Sequence, residues 1–249
     1  MKRALPLLVA IVALAAWWAV AARMPPVLLP TPLEVAESAW TQRDRVGEAT
    51  WTTFLASLAG LGTASVFAIG GAALFQRSRW IERALYPYAL LLQTVPIIAI
   101  APLLVVWLGY GTPVAITTSA IVCFFPILTA TNQGLRAADP AQVELFRLYG
   151  ASRFQELRLL RWPSALPFLF TGYRAAVGLS VIGAIVGEFV GSNGSPASLG
   201  NLVIRSAGSA DTPLTFAAII ASTGLALILF GTVRLVEART IGRWQGGSE

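Results

Sequence analysis

Few residues in this chain could carry out chemistry. Its 249 residues include no histidine, one cysteine (Cys123) and one lysine (Lys2). Without histidine there is no His-dependent nucleophilic triad, no HExxH zinc site and no His–carboxylate proton relay. A P-loop needs a lysine that reaches nucleotide phosphates, and Lys2 stands at the extreme start of the chain, so ATP is not bound that way. One cysteine cannot form an intrachain disulfide framework or a cysteine zinc cluster. No catalytic residue, metal site or cofactor is therefore expected. What remains is Glu188, the lone acid of an apolar run, with Arg174 upstream of it. The 13 positions 175–187 hold the two charges ~21 Å apart along a helix, too far to pair within it. A carboxylate facing hydrocarbon near mid-bilayer costs ~2.5–3.5 kcal/mol on insertion scales, so Glu188 is expected in a wet cavity or at the outer mouth of a solute path. Two readings of it differ. An ion-coupled secondary carrier would make it a relay, whereas an interfacial acid would have no transport role at all.

The elements that must position these groups are membrane helices. With 56% hydrophobic residues, 12% charged and a mean hydropathy of +0.69, the composition is too apolar for a soluble domain of this length. The net charge of +6 does not indicate nucleic acid, because the aromatic residues lie inside apolar runs and not on a basic face. The fold class expected is all-α, a polytopic bundle forming one membrane domain over 1–249, with spans at 5–22, 50–75, 85–108, 113–134, 164–190 and 212–234. The first run follows Lys2 and Arg3 and ends in small residues, so it reads either as a retained span or as a cleavable signal peptide. Both readings place the Pro-rich connector after it outside the cytoplasm. Within that connector a short interfacial helix is expected over 33–42, with Trp40 as anchor.

Positions 84–135 carry no charge, and one helix of that length would measure ~78 Å, so two spans joined at Gly109-Tyr110-Gly111-Thr112-Pro113 are required. The first of the two contains Pro87, Pro96 and Pro102, with Gln93 and Thr94 between them. Broken backbone at membrane depth is tolerated where it packs in protein or lines a cavity, so Gln93, Thr94 and Pro96 join Arg174 and Glu188 as pathway candidates. Residues 191–211 read as an exterior loop. With the N-terminus inside, thirteen of the 18 Lys and Arg fall on cytoplasmic segments, so both termini and the charged loop 136–163 are assigned to the cytoplasm.

That loop reads as two helices about an elbow. Asp139 can cap the first with Pro140 at its opening position, Gly150 can take φ > 0, and Ser152 with Gln155 has capping-box spacing. Glu144, then Gly150 six residues on, Leu160, Trp162 and Pro163, resemble the cytoplasmic EAA loop of permease subunits of bacterial ABC importers, with Leu145 and Phe146 where that family usually has two alanines. The stretches LPTPLEV, QTVPIIAIAPLLVVWLGYG and GYRAAVGLSVIGAIVGEFVG extend the resemblance over roughly 28–244 and are similar to the nitrate/sulfonate/taurine branch. The resemblance implies a type I importer permease of the bacterial inner membrane, not an enzyme itself. It also implies ATPase coupling through Glu144, Gly150, Ala151 and Pro163, and three kinds of partner: cytoplasmic ABC ATPase subunits, a second permease copy and a periplasmic or surface solute-binding protein. The implied cargo is a nitrate-, sulfonate- or taurine-like solute, or a thiamine-precursor pyrimidine or riboflavin. A membrane assembly protein without a pathway is the other alternative, and an ATPase partner would distinguish it.

Overall fold

The computed structural model describes residues 5–191 and 197–245, all helices and connections, with no strand among them. Lys2, Arg3 and positions 192–196 of the expected exterior loop lie outside the described residues. The helices run in the order α1 (Leu5–Ala21), α2 (Pro32–Thr41), α3 (Arg43–Arg77), α4 (Arg79–Thr94), α5 (Ile97–Leu108), α6 (Thr112–Arg136), α7 (Pro140–Leu148), α8 (Arg153–Glu156), a π-turn (Leu157–Arg161), α9 (Trp162–Val190), α10 (Leu199–Gly208) and α11 (Thr212–Gln245).

Four stretches are long and apolar enough to cross a bilayer: α3, α6, the continuous helix Arg153–Val190, and α11. Helices α4 and α5 reach that length only as a pair, bent by 100° at Val95-Pro96, so the count is four, or five with the pair taken as one broken span. The 17 residues of α1 give ~26 Å, slightly short of a ~30 Å hydrocarbon core, so the count of six is approximate. Helix α1 rests on the outside of the bundle, with Trp17 donating to the Pro30 carbonyl at 3.1 Å and stacked on Phe216.

Several helices overrun the expected spans. Helix α3 begins at Arg43, because its polar first turns stay helical in water before the apolar run starts, and α11 continues through Arg234 and Arg239. The expected exterior loop contains α10, capped by the Ser198 hydroxyl accepting from Asn201 N–H.

Helix α6 is the centre of the bundle, packed between α3 and α9. Small residues make this possible, since in a bilayer helix association depends on close backbone approach. A Cβ added at Gly60 of α3 would lie 2.4 Å from Ser119 Cβ, one at Gly183 of α9 2.7 Å from Ser119 Cα, and one at Gly187 2.6 Å from Ala115 Cα. Thr118 adds a bond between helices, donating to the Gly183 carbonyl at 2.7 Å. Of the four glycines in the second expected span, Gly60 and Gly71 face α6, at Ser119 and Leu128, and Gly62 and Gly70 face open space.

Candidate coupling loop and translocation path

The charged loop folds from local signals. Asp139 accepts from Ala141 N–H at 2.8 Å and opens α7. At the other end Gly150 turns the chain with φ +70°, a conformation that costs glycine nothing and other residues strain. The Gly150 and Ala151 N–H groups close the end of α7 on the Arg147 and Phe146 carbonyls. Ser152 and Gln155 then form the reciprocal capping box, at 2.7 and 3.3 Å. Immediately before Pro163 the ladder widens into the π-turn, which suits a proline: it has no N–H to give, and its ring crowds the carbonyl four residues back.

The hinge of this loop is clamped. Arg161 binds Glu156 Oε1 at 2.7 Å and the Leu135 carbonyl near the end of α6 at 3.1 Å. Beside it Glu82 of α4 pairs with Arg136 and accepts from Asn132 at 3.0 Å, joining α4 to α6. The crest is not clamped. Neither α7 nor α8 has a buried residue, and Leu148 and Tyr149 are 80% and 84% exposed. Glu144 is exposed, on the wall of a cleft it shares with Arg136, Arg147 and Arg161. The arrangement is an exposed, partly apolar helix on a rigid root, suited to docking and unsuited to bond-making chemistry.

Glu188 lies at the opposite end of α9. It is 7% exposed, and its Oε2 accepts from Thr53 Oγ1 of α3 at 3.0 Å and from Gly200 N–H of α10 at 2.9 Å. Thr53 Oγ1 in turn accepts from Leu199 N–H at 2.9 Å. Two first-turn donors of α10 are therefore satisfied by α3 and α9, a carboxylate at a helix N-terminus being favoured by the dipole. Oε1 has no partner among the described residues, and the cavity beside it, about 10 Å³, is the size of one water. The structure thus places Glu188 in a joint between three helices.

Arg174 pairs with Glu237 of α11 at 3.0 Å and with Thr171 at 3.0 Å, a partner 63 residues away that spacing could not reveal. Gln93, Thr94 and Pro96 are all exposed at the α4–α5 bend, and Thr94 turns its hydroxyl back to the Leu91 carbonyl. The pathway candidates are therefore not gathered in one place: the bend, the Arg174 pair and the Glu188 joint are separate. Thr53 and Ser198 were missed. Ser198 before Leu199 and Leu202 is a cap signal visible in the sequence, whereas nothing in the sequence joins Thr53 to residues 135 and 146 positions away.

The profile of the family described as "Binding-protein-dependent transport system inner membrane component" matches residues 56–242. The chain is 34% identical over 230 residues to a probable ABC transporter permease protein of Haemophilus influenzae, covering 92% of this chain and 93% of that one. It is 35% identical over 227 residues to the formylaminopyrimidine transport permease protein ThiX of Halalkalibacterium halodurans, covering 88% of each. Its fold is similar to that of the MetNI methionine ABC transporter in an inward facing conformation, with TM-score 0.68 at 16% identity over 82% of this chain and 97% of that one.

Proposed function

The chain belongs to the family of binding-protein-dependent transport system inner membrane components, as an ABC importer permease of the sulfonate/pyrimidine type, and on that premise we propose that it forms half of a solute path driven through the 136–163 loop. Helix α7, with Glu144, Gly150 and Ala151, is the surface on which a cytoplasmic ATPase subunit docks, and Pro163 with the π-turn passes its movement to α9. The observation that carries this reading is the exposed crest of α7 on a clamped hinge. A rigid lever of this kind lets closure of an ATPase pair rock the membrane helices between two openings.

In this reading two copies of the chain enclose the path. Gln93, Thr94 and Pro96 line it where α4 breaks into α5, and Arg174 and Glu188 fix the helices that wall it. A solute-binding protein delivers the cargo at the far end, a small solute of the nitrate/sulfonate/taurine or pyrimidine/riboflavin type. The ThiX relative supports the pyrimidine half of that class.

Gly150→Val puts a β-branched side chain at φ +70°, a local cost of ~1–3 kcal/mol, and Glu144→Lys reverses charge beside Arg147. Both variants should insert and assemble yet lose at least tenfold in uptake of labelled formylaminopyrimidine, riboflavin or an aliphatic sulfonate, on the scale of a ~1.4 kcal/mol change in coupling. Uptake at the wild-type rate by both would refute the lever, and no uptake of any of the three by the wild-type complex would refute the substrate class. Orientation has its own measurement. In a Cys123→Ser background, Ser209→Cys should react with an impermeant thiol reagent from outside intact cells and Ser152→Cys should not, and the reverse pattern would turn the molecule over.

A further inference from the structure

The loop end of the bundle carries a basic groove that the exposed crest residues Leu148 and Tyr149 do not line. Arg77 closes α3 and Arg79 opens α4. Between these helix ends and the loop lies a cavity of about 1030 Å³, whose wall also holds Arg147, Arg153, Arg161 and Glu156. Glu156 neutralises Arg161 at 2.7 Å. Arg77, Arg79, Arg147 and Arg153 have no carboxylate within ion-pairing distance among the described residues. Glu82 acts on Arg79 and Glu144 stands in the same cleft as Arg147, but neither lines this cavity, so its wall carries five guanidiniums against one carboxylate, and an anion with several oxygens is the group that relieves them.

The groove is also partly apolar. Phe154, 67% exposed, and Leu157 and Ala73 complete its wall, and the neighbouring Trp80, 79% exposed, has the character of an indole at headgroup depth. Cationic groups above an apolar wall, set between the ends of two membrane helices, match a phosphodiester attached to acyl chains better than a free anion. An acidic protein segment fits less well, because Arg147 and Ala151 of the loop reach this cavity but the large exposed crest residues Leu145, Leu148 and Tyr149 that a protein would cover do not. We propose that the groove binds the headgroup of an anionic phospholipid, held by Arg77 and Arg79 from the helix ends and by Arg147 and Arg153 from the loop, so that lipid ties the coupling loop to α3 and α4. The proposal rests on the membrane reading of the chain and not on which subunit covers α7.

The test uses the full chain purified with its ATPase partner and placed in nanodiscs of phosphatidylcholine, alone or mixed with phosphatidylglycerol, with bound lipid counted by native mass spectrometry. The wild type should retain phosphatidylglycerol selectively. Arg77→Gln with Arg79→Gln should weaken that retention by about thirtyfold, the value of two basic residues near an anionic surface, while Arg77→Lys with Arg79→Lys should stay within about threefold of wild type. Glycerol 3-phosphate and inorganic phosphate should not displace the lipid. Equal retention of both lipids by the wild type, or unchanged retention in the Gln pair, overturns the site. Displacement by inorganic phosphate reassigns the groove to a free anion and overturns the lipid. Loss of the ATPase subunit from the Gln pair with lipid retention intact gives the groove to the protein partner instead. Failure of the Gly150→Val test would leave all of these outcomes readable, since none depends on uptake.

Discussion

The two ends of α9 differ in what completes them. At the Glu188 end three helices share buried hydrogen bonds, glycines bring backbones into contact, and the space left over holds about one water. At the loop end the hinge is clamped by Arg161 and Glu82, but the helix beyond it has no buried residue and shows its apolar side chains to solvent. The chain itself supplies everything the first end needs. The second end lacks a covering surface, and large exposed apolar side chains on a helix outside the bilayer are the mark of an interface with another molecule. The contrast places a closed joint at one end of a long helix and an exposed, partly apolar crest, the docking surface of the proposed function, at the other.

Substitutions can break or sharpen that contrast. The largest loss of stability is expected from Gly187→Val, whose Cβ would meet Ala115 Cα at 2.6 Å and Thr118 Oγ1 at 2.3 Å. Overpacking of this kind costs ~1–3 kcal/mol or more, and the yield of monodisperse protein in detergent should collapse. Normal yield would mean that the joint is not closed. A smaller effect follows at Glu188. Glu188→Ala strands the Gly200 N–H and should cost ~1–3 kcal/mol, read as a lowered melting temperature, whereas Glu188→Gln keeps an oxygen for both donors and should melt near wild type. If the Gln variant melts normally but transports poorly, the carboxylate has a part in solute passage beyond holding α10. The smallest change in stability, within ~0.5 kcal/mol, is expected from Leu148→Ser on the exposed crest, and the same variant should lose its ATPase partner on size-exclusion chromatography. Retention of the partner would remove the crest from the docking surface.

Legibility in the sequence follows the same division. The Asp139 cap, the Gly150 elbow and the Ser152 box are local, each formed by residues within a few positions of one another, and spacing alone was enough to place them. Composition was enough for a helical membrane bundle. The Glu188 joint was not legible, because its partners are a threonine 135 residues upstream and a backbone N–H of a helix hidden in an apparent loop. Sequence led to the expectation of a wet cavity or path mouth there, on the sound ground that a carboxylate avoids hydrocarbon. Structure meets the same need with fixed donors. Pro96 announced a break between α4 and α5, but a proline removes a hydrogen bond without setting an angle, so the 100° of the bend was not legible.

The π-turn before Pro163 also sets the phase of the short helix α8 relative to α9. Each residue of an α-helix advances the chain by about 100°, so one residue added to or removed from the turn would rotate Arg153–Glu156 about a quarter-turn against α9 while leaving the buried glycine contacts of α9 in place. The widened turn lets the phase of the loop be set independently of the phase of the core.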